Sequence, residues 1–228
     1  MKRRLNKGLF ISFEGGEGSG KTTQINLLSD YLTNEGYRVV TTREPGGTPE
    51  AESIRSVLVQ REGGNWSPMS EVLLLYAARI IHTEQVIKPA MEEGAIVISD
   101  RYADSTLAYQ GYGHGLPLDS IKAVDALSIG AFKPDITFVL DIDPKTGLSR
   151  SIKRLEAEKG YDQQTEDRFE RMGLKFHERL RQGYLNIAKS DTARCRVLDA
   201  ALDVGTLSEQ IIQSVKRLLK KKGAVETL

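Results

Sequence analysis

The chain has 228 residues, with 32 Lys and Arg against 31 Asp and Glu, a formal net charge of +1, and 39% hydrophobic and 28% charged residues. This balance is ordinary for a globular protein and leaves no overall field to hold nucleic acid or a membrane surface. One cysteine, Cys195, and three scattered histidines, His82, His114 and His177, exclude an intrachain disulfide and the usual zinc spacings.

The length suits one domain over 1–228, with no repeat and no linker. The apolar run LFISF is too short for a signal-peptide core and nothing approaches a membrane span, so a reducing cytoplasm is the expected setting. Basic clusters at residues 2–7 and 216–222 read as solvated termini.

In chain order, residues 8–14 (GLFISFE) form the first strand-like run, followed by a glycine-rich loop and a helical pattern over 21–34 closed by Gly36. Further strands are expected at 37–42, 94–100, 134–141 and 195–199. Their cores are near-continuous Val, Ile, Leu and Phe, as strands buried on both faces require. A second helical pattern covers 66–91, with a break expected near Pro89. Phe169, Met172, Phe176, Leu180, Tyr184 and Ile187 recur every three or four residues and predict a long amphipathic helix. The charged segment 145–171, with Gly160 in its middle, reads either as a helix–loop–helix lid or as an exposed helical connection. Strand–helix alternation with right-handed crossovers gives an α/β fold, a doubly wound parallel five-stranded sheet flanked by helices.

Gly15-x-x-x-x-Gly20-Lys21-Thr22, set between strand and helix, fits the P-loop pattern. Its glycines let backbone N–H groups turn inward onto phosphate oxygens, and the following helix adds its positive dipole end. Lys21 places a cation on the terminal phosphates, and Thr22 offers a hydroxyl to Mg2+. The only Asn-Lys pair, Asn6-Lys7, precedes the loop and lacks the aspartate of a guanine reader. The strand ends Ser99-Asp100-Arg101 and Leu140-Asp141-Ile142 lack the glutamate that would polarise a hydrolytic water. Transfer to an acceptor is therefore favoured over hydrolysis.

Five stretches in order, FEGGEGSGKTTQ, TREPGGT (42–48), YAAR (76–79), DRY (100–102) and DSTLAYQGYG (104–113), closely resemble the thymidylate kinase family over about residues 8–200. The resemblance implies a nucleoside monophosphate kinase-like fold with a lid, and transfer of the γ-phosphoryl of ATP to dTMP with Mg2+. It places the ATP phosphates in Gly15, Gly16, Glu17, Gly18, Ser19, Gly20, Lys21, Thr22 and Thr23, with the adenine beside Asp199 and Ala200. The metal falls to Thr22 and Asp100, and Glu44 lies near it and the acceptor phosphate. Arg43, Arg55 and Arg101 grip that phosphate, a task suited to the planar fork of arginine. Arg79 hydrogen-bonds the thymine, while Thr106, Tyr109 and Gln110 lie beside the acceptor nucleoside. Either Leu75 or Tyr76 packs on the base. Glu17 faces the acceptor's sugar, where a carboxylate accepts from the 3′-hydroxyl; this explains an acid in a phosphate loop.

Each assignment has a plainer counterpart: Arg43 and Glu44 as a surface ion pair, Arg79 snorkelling to solvent, Gln110 capping a helix. Some relatives carry a basic residue in the loop where this chain has Gly18, so the transferring charge should come from the lid. The lid offers Arg150, Lys153, Arg154, Lys159 and Arg168, with Arg150 and Arg154 on one helical face. The family resemblance also implies a homodimer, for which the apolar helix over 73–87 supplies a surface unless it is core. Rival readings are a kinase for another nucleoside monophosphate or a nucleoside, and a nucleotide-gated binding module without transfer.

Overall fold

A computed structural model describes residues 3–60, 64–158, 167–222 and 225–226 of the chain. The five apolar runs become β1 (Leu9–Glu14), β2 (Val39–Arg43), β3 (Ile96–Asp100), β4 (Ile136–Asp141) and β5 (Cys195–Asp199). They form one parallel sheet in the order β2-β3-β1-β4-β5. All six residues of β1 are buried, because it lies at the centre with Ile11 paired to Ile98 on one side and Ile136 on the other.

Parallel neighbours require crossovers, and helices provide them: α1 (Lys21–Asn34), α2 (Pro49–Val59), α3 (Pro68–His82), α4 (Ala103–Thr106, continued as a wider turn through Gly113), α5 (Leu118–Ser128), α6 (Pro144–Glu158), α7 (Leu174–Ser190) and α8 (Val204–Lys221). On one face, Leu9, Ile11, Phe13, Ile98 and Phe138 pack against Leu28 and Leu32 of α1 and Ile211 and Val215 of α8. On the other, Phe10, Val97 and Tyr102 meet Ile87 and Ala90, and Val139 meets Leu180 and Tyr184 of α7. Two-residue strands, Arg3–Arg4 and Val225–Glu226, pair antiparallel beside this sheet. No helix among the described residues is long and apolar enough to cross a membrane.

Three boundaries differ from expectation. The helix through 66–91 does not break at Pro89. It widens upstream at Thr83–Ile87, where Lys88 N donates to Thr83 O, and continues through Pro89 as Lys88–Glu92. Widening moves the preceding carbonyls away from the proline ring, so the chain passes Pro89 without a clash. The amphipathic helix starts at Leu174 with Gly173 as its N-cap, so Phe169 and Met172 lie in the preceding turn and pack on the same apolar cluster from there. The lid shows one helix, α6, and then a turn from Asp167; Lys159 and Gly160 lie outside the described residues.

The carboxyl ends of β1, β2 and β3 gather in one place. Because β3 and β4 lie on opposite sides of β1, the loop after β1 sits at the sheet's switch point, where open α/β folds bind ligands.

Candidate active site

The loop after β1 wraps around its own lysine. Lys21 Nζ donates to Gly15 O (3.2 Å) and Gly16 O (3.1 Å), with Ser19 Oγ at 3.5 Å. Burial and the nearby Arg101 guanidinium hold its pKa below the ordinary lysine value. No side chain caps α1, whose N-cap is Gly20, so the amides of its first turn remain open to an anion.

Gly18 is fixed by its surroundings. It has φ 65°, and a Cβ there would meet Gly147 O of α6 at 2.0 Å. The contact is reciprocal, since a Cβ on Gly147 would meet Glu17 O at 2.4 Å. The first turn of α6, held by Thr146 N donating to Asp143 Oδ1 (3.0 Å), is thus pressed against the phosphate loop. A basic side chain at position 18 has no room.

A cavity of about 850 Å³ opens over this loop. Its walls include Glu17, Lys21 and Thr22, then Arg43 and Glu44 from β2 and its end, and Arg55 from α2. Leu75 and Arg79 of α3, Asp100 at the end of β3 and Arg101 after it, Thr106, Tyr109 and Gln110 of α4 and its continuation, and Arg150 and Arg154 of α6 complete it.

Arg101 is the hub. Its φ is 72°, a left-handed backbone uncommon outside glycine. Nη1 donates to Gly15 O (3.0 Å), Ser105 Oγ (3.2 Å) and Tyr184 OH (2.9 Å), and Nη2 faces Glu17 at 3.3 Å. Tyr109 OH donates to both Glu17 oxygens, at 2.6 and 2.7 Å. Burial pushes Glu17 up, but Arg101, Lys21 and the Tyr109 hydroxyl outweigh it and hold the carboxylate below its ordinary range.

Farther along, Arg79 is buried rather than snorkelling. Nε donates to Glu44 Oε2 (2.7 Å) and Nη2 to Thr106 Oγ1 (3.1 Å), while Nη1 is buried without a hydrogen-bond partner among the described residues. Gln110 caps no helix; its Nε2 donates to Glu71 Oε2 (2.8 Å), which leaves Oε1 buried and unpartnered. Glu44 is no surface group either, since its second oxygen meets His82 Nδ1 at 2.9 Å. Arg43 pairs with Glu52 instead (3.0 Å), and Arg55 Nη1 donates to Pro45 O (3.0 Å). Thr22 Oγ1 donates to Asp100 Oδ2 (3.5 Å), and Asp100 Oδ1 is buried and unpartnered. A hydroxyl and a spare carboxylate oxygen at a phosphate loop form a hard-oxygen donor set that fits Mg2+, which takes few protein ligands.

A family model for thymidylate kinase matches residues 13–211. The chain belongs to the thymidylate kinase family. It is 46% identical to the thymidylate kinase of Caulobacter vibrioides over 215 residues, 94% of this chain and 99% of that protein. It is 42% identical to that of Geobacter sp. over 222 residues, 96% of this chain and 97% of the relative. The crystal structure of thymidylate kinase from Ehrlichia chaffeensis superposes with a TM-score of 0.72 at 36% identity, covering 92% of this chain and 99% of that one.

Against the thymidylate kinase pattern, most of the expected residues converge on the one cavity, and a few do not. Tyr76 is turned away: its hydroxyl donates to Asp125 Oδ1 (2.7 Å), and its ring lies 4.5 Å from the Arg79 guanidinium carbon. Leu75, four residues before Arg79, shares the cavity-facing side of α3, as helical spacing requires. Asp199 and Ala200 lie at the end of β5 and do not line the cavity; Arg150 Nη1 donates to Ala200 O (3.1 Å). Gly15 and Gly16 line a small recess behind the loop. Arg168 does not join the lid arginines, because it is tied to Leu58 O (2.7 Å) and ion-paired with Glu71. Lys153 is exposed and lines nothing here.

Sequence reasoning missed Glu71, His82 and Ser105. Glu71 joins Gln110 to Arg168, and His82 fixes Glu44 while its Nε2 lies 2.7 Å from Thr42 Oγ1. The available signal was an acid and a histidine on the buried side of an apolar helix, where neither is tolerated without partners.

Proposed function

We propose that this chain is a dTMP kinase, acting in the cytoplasm as one kinase domain with a lid and transferring the γ-phosphoryl of ATP to dTMP. The observation that carries the reading is the pair of orphaned atoms, Arg79 Nη1 and Gln110 Oε1, on the walls of the cavity that also holds Lys21 and Arg101. One is a donor and the other an acceptor, the complement of the O4 and N3–H that thymine and uracil present and cytosine does not. Buried polar groups are rarely left unpaired without a ligand to pair them.

In this reading Lys21 and the loop amides hold the donor phosphates, and Arg101, Arg43 and Arg55 take the acceptor phosphate. Glu17, kept ionised by Arg101 and steadied by Tyr109, accepts from the sugar 3′-hydroxyl. Leu75 packs against the base. Thr22 and Asp100 would hold Mg2+, which supplies charge neutralisation at the phosphates. Because Gly18 is excluded from carrying a side chain, the positive charge that stabilises the moving group comes from Arg150 and Arg154 of α6. Two chains pair through the outer side of α3 and α5, where Leu73 and Leu127 are 55% and 89% exposed, although most of the apolar side of α3 is core.

ADP release measured with dTMP, dUMP, dGMP and thymidine in turn tests the assignment. It should be highest with dTMP and near background with thymidine, which brings no phosphate to the arginines. Turnover of another acceptor with none of dTMP refutes the proposal.

The lid assignment has its own test in Gly147→Ala. The added methyl meets backbone rather than a flexible side chain, so the first turn of α6 must lift off the loop and carry Arg150 with it. A displacement of that order lowers kcat by about tenfold to a hundredfold. The KM for dTMP should change less, since the acceptor's arginines lie on other elements. An unchanged kcat would show that this contact does not place Arg150.

A further inference from the structure

β1 ends in Glu14, a fully buried carboxyl that lies within FEGGEGSGKTTQ yet has been given no role above. Tyr102 N donates to its Oε1 (2.7 Å), and Ser105 Oγ donates to its Oε2 (2.5 Å). Ser105 Oγ also lies 2.8 Å from Tyr184 OH, and both hydroxyl oxygens accept from Arg101 Nη1. Glu14 therefore holds Arg101 at two ends: the backbone one residue later, and the guanidinium through two hydroxyls. Arg101 needs such support, because its left-handed backbone is one that side chains rarely adopt. Further restraints on this turn are Arg101 N donating to Phe13 O (2.9 Å), Ser99 Oγ donating to Arg101 O (2.7 Å) and Arg79 Nη2 donating to Tyr102 O (3.3 Å); none of them reaches the Arg101 guanidinium.

We propose that Glu14 is a positioning residue for the acceptor-phosphate arginine, its carboxyl fixing both the turn at Arg101–Tyr102 and the direction of the Arg101 guanidinium. The inference rests on the reading of Arg101 as a dTMP ligand.

The electrostatics agree. Burial, followed by the neighbouring Asp104, pushes Glu14 up to about 8, against the smaller pull of Ser105, Arg101 and Tyr102 N. The titratable and charged groups around it are Arg101, Asp104 on α4, Lys21 on α1, Tyr184 on α7 and Cys195 on β5. Arg194 engages Asp104 from the far side, at 2.5 and 3.0 Å. Burial favours the neutral carboxyl, whose Oε2–H then donates to Ser105 Oγ while Ser105 turns its own proton to Tyr184 OH, so that Glu14 orients Arg101 without using its charge. Once ionised, it competes with phosphate for the same guanidinium.

dTMP affinity of the full chain, measured by calorimetry at pH 7.0 and 8.8 beside ATP affinity, tests this for wild type, Glu14→Ala, Glu14→Gln and Arg101→Ala. Glu14→Ala should weaken dTMP binding about tenfold at pH 7.0 and change ATP affinity by less than about twofold. Glu14→Gln keeps an acceptor for Tyr102 N and a polar group for Ser105, so its dTMP affinity at pH 7.0 should be restored to within about twofold of wild type. Wild type should lose dTMP affinity by about threefold or more between pH 7.0 and 8.8, and Glu14→Gln should not. Wild-type affinity in Glu14→Ala overturns the proposal. Should that variant fail to fold, an alkaline loss that persists in Glu14→Gln, or is missing in wild type, overturns it instead. If Arg101→Ala leaves dTMP affinity unchanged, the reading beneath has failed. If only Arg101→Ala weakens it, the inference alone has failed.

Discussion

Lys21→Ala should lower kcat by about a thousandfold or more, with a much smaller loss of ATP affinity. The difference follows from how the loop is built. In the proposed reading its glycines and the uncapped start of α1 bind phosphate through backbone N–H groups, and alanine leaves those in place. The ammonium supplies something else, a fixed positive charge where charge develops during transfer. It is already aimed by Gly15 O and Gly16 O, so little reorganisation is needed when nucleotide arrives. Single-turnover rates with ATP affinity measured separately check the split. A kcat within a few-fold of wild type would remove Lys21 from the transfer step. Lys21→Arg should rescue poorly, because a broad guanidinium does not fit between two carbonyls set for a compact ammonium.

How far this was legible in the sequence depends on the range of the interactions involved. β1, β3 and β4 announce themselves because a strand buried on both faces must be apolar throughout. The phosphate loop is equally local: six residues, a strand before and a helix after. Arg101 and Asp100 could be placed because they sit at, and just beyond, the end of an apolar strand. Glu44 was harder. Its partners Arg79 and His82 are 35 and 38 residues away, and without them an acid after Arg43 looks like half of a surface pair. The contact between Gly18 and Gly147 was invisible for the same reason, because two glycines give no signal of touching until the fold joins them. Tyr76 and Leu75 could not be separated from composition, since both suit an apolar helix; only the direction of α3 against α5 turns the tyrosine toward Asp125. The start of α7 slipped because Phe169 and Met172 are apolar at helical spacing yet pack from a turn, a contact that periodicity cannot tell from a helical one.

The second large effect is expected from Arg101→Ala, which should weaken dTMP binding by about a hundredfold while ATP affinity stays within a few-fold of wild type. Two losses add here. The first is the charge-assisted contact of Arg101 to the acceptor phosphate, which Arg43 and Arg55, proposed to grip the same phosphate from β2 and α2, cannot make in its place. The second is indirect. Arg101 is the strongest of the influences that lower the pKa of Glu17 against burial, so its removal lets the carboxyl pKa rise. Glu17 then takes up a proton as pH falls through a range where it is ionised in the wild type, and loses its acceptor for the 3′-hydroxyl. The dTMP affinity of Arg101→Ala should therefore fall more steeply toward acid than that of wild type. Measuring both affinities from pH 8 downward, as far as both proteins stay folded, separates the two effects, because the lost phosphate contact shifts the whole curve and the Glu17 effect tilts it. Equal loss of dTMP and ATP affinity would mean something different: that the bond from Arg101 Nη1 to Gly15 O supports the phosphate loop itself, and the arginine belongs to the donor's cradle rather than to the acceptor's grip.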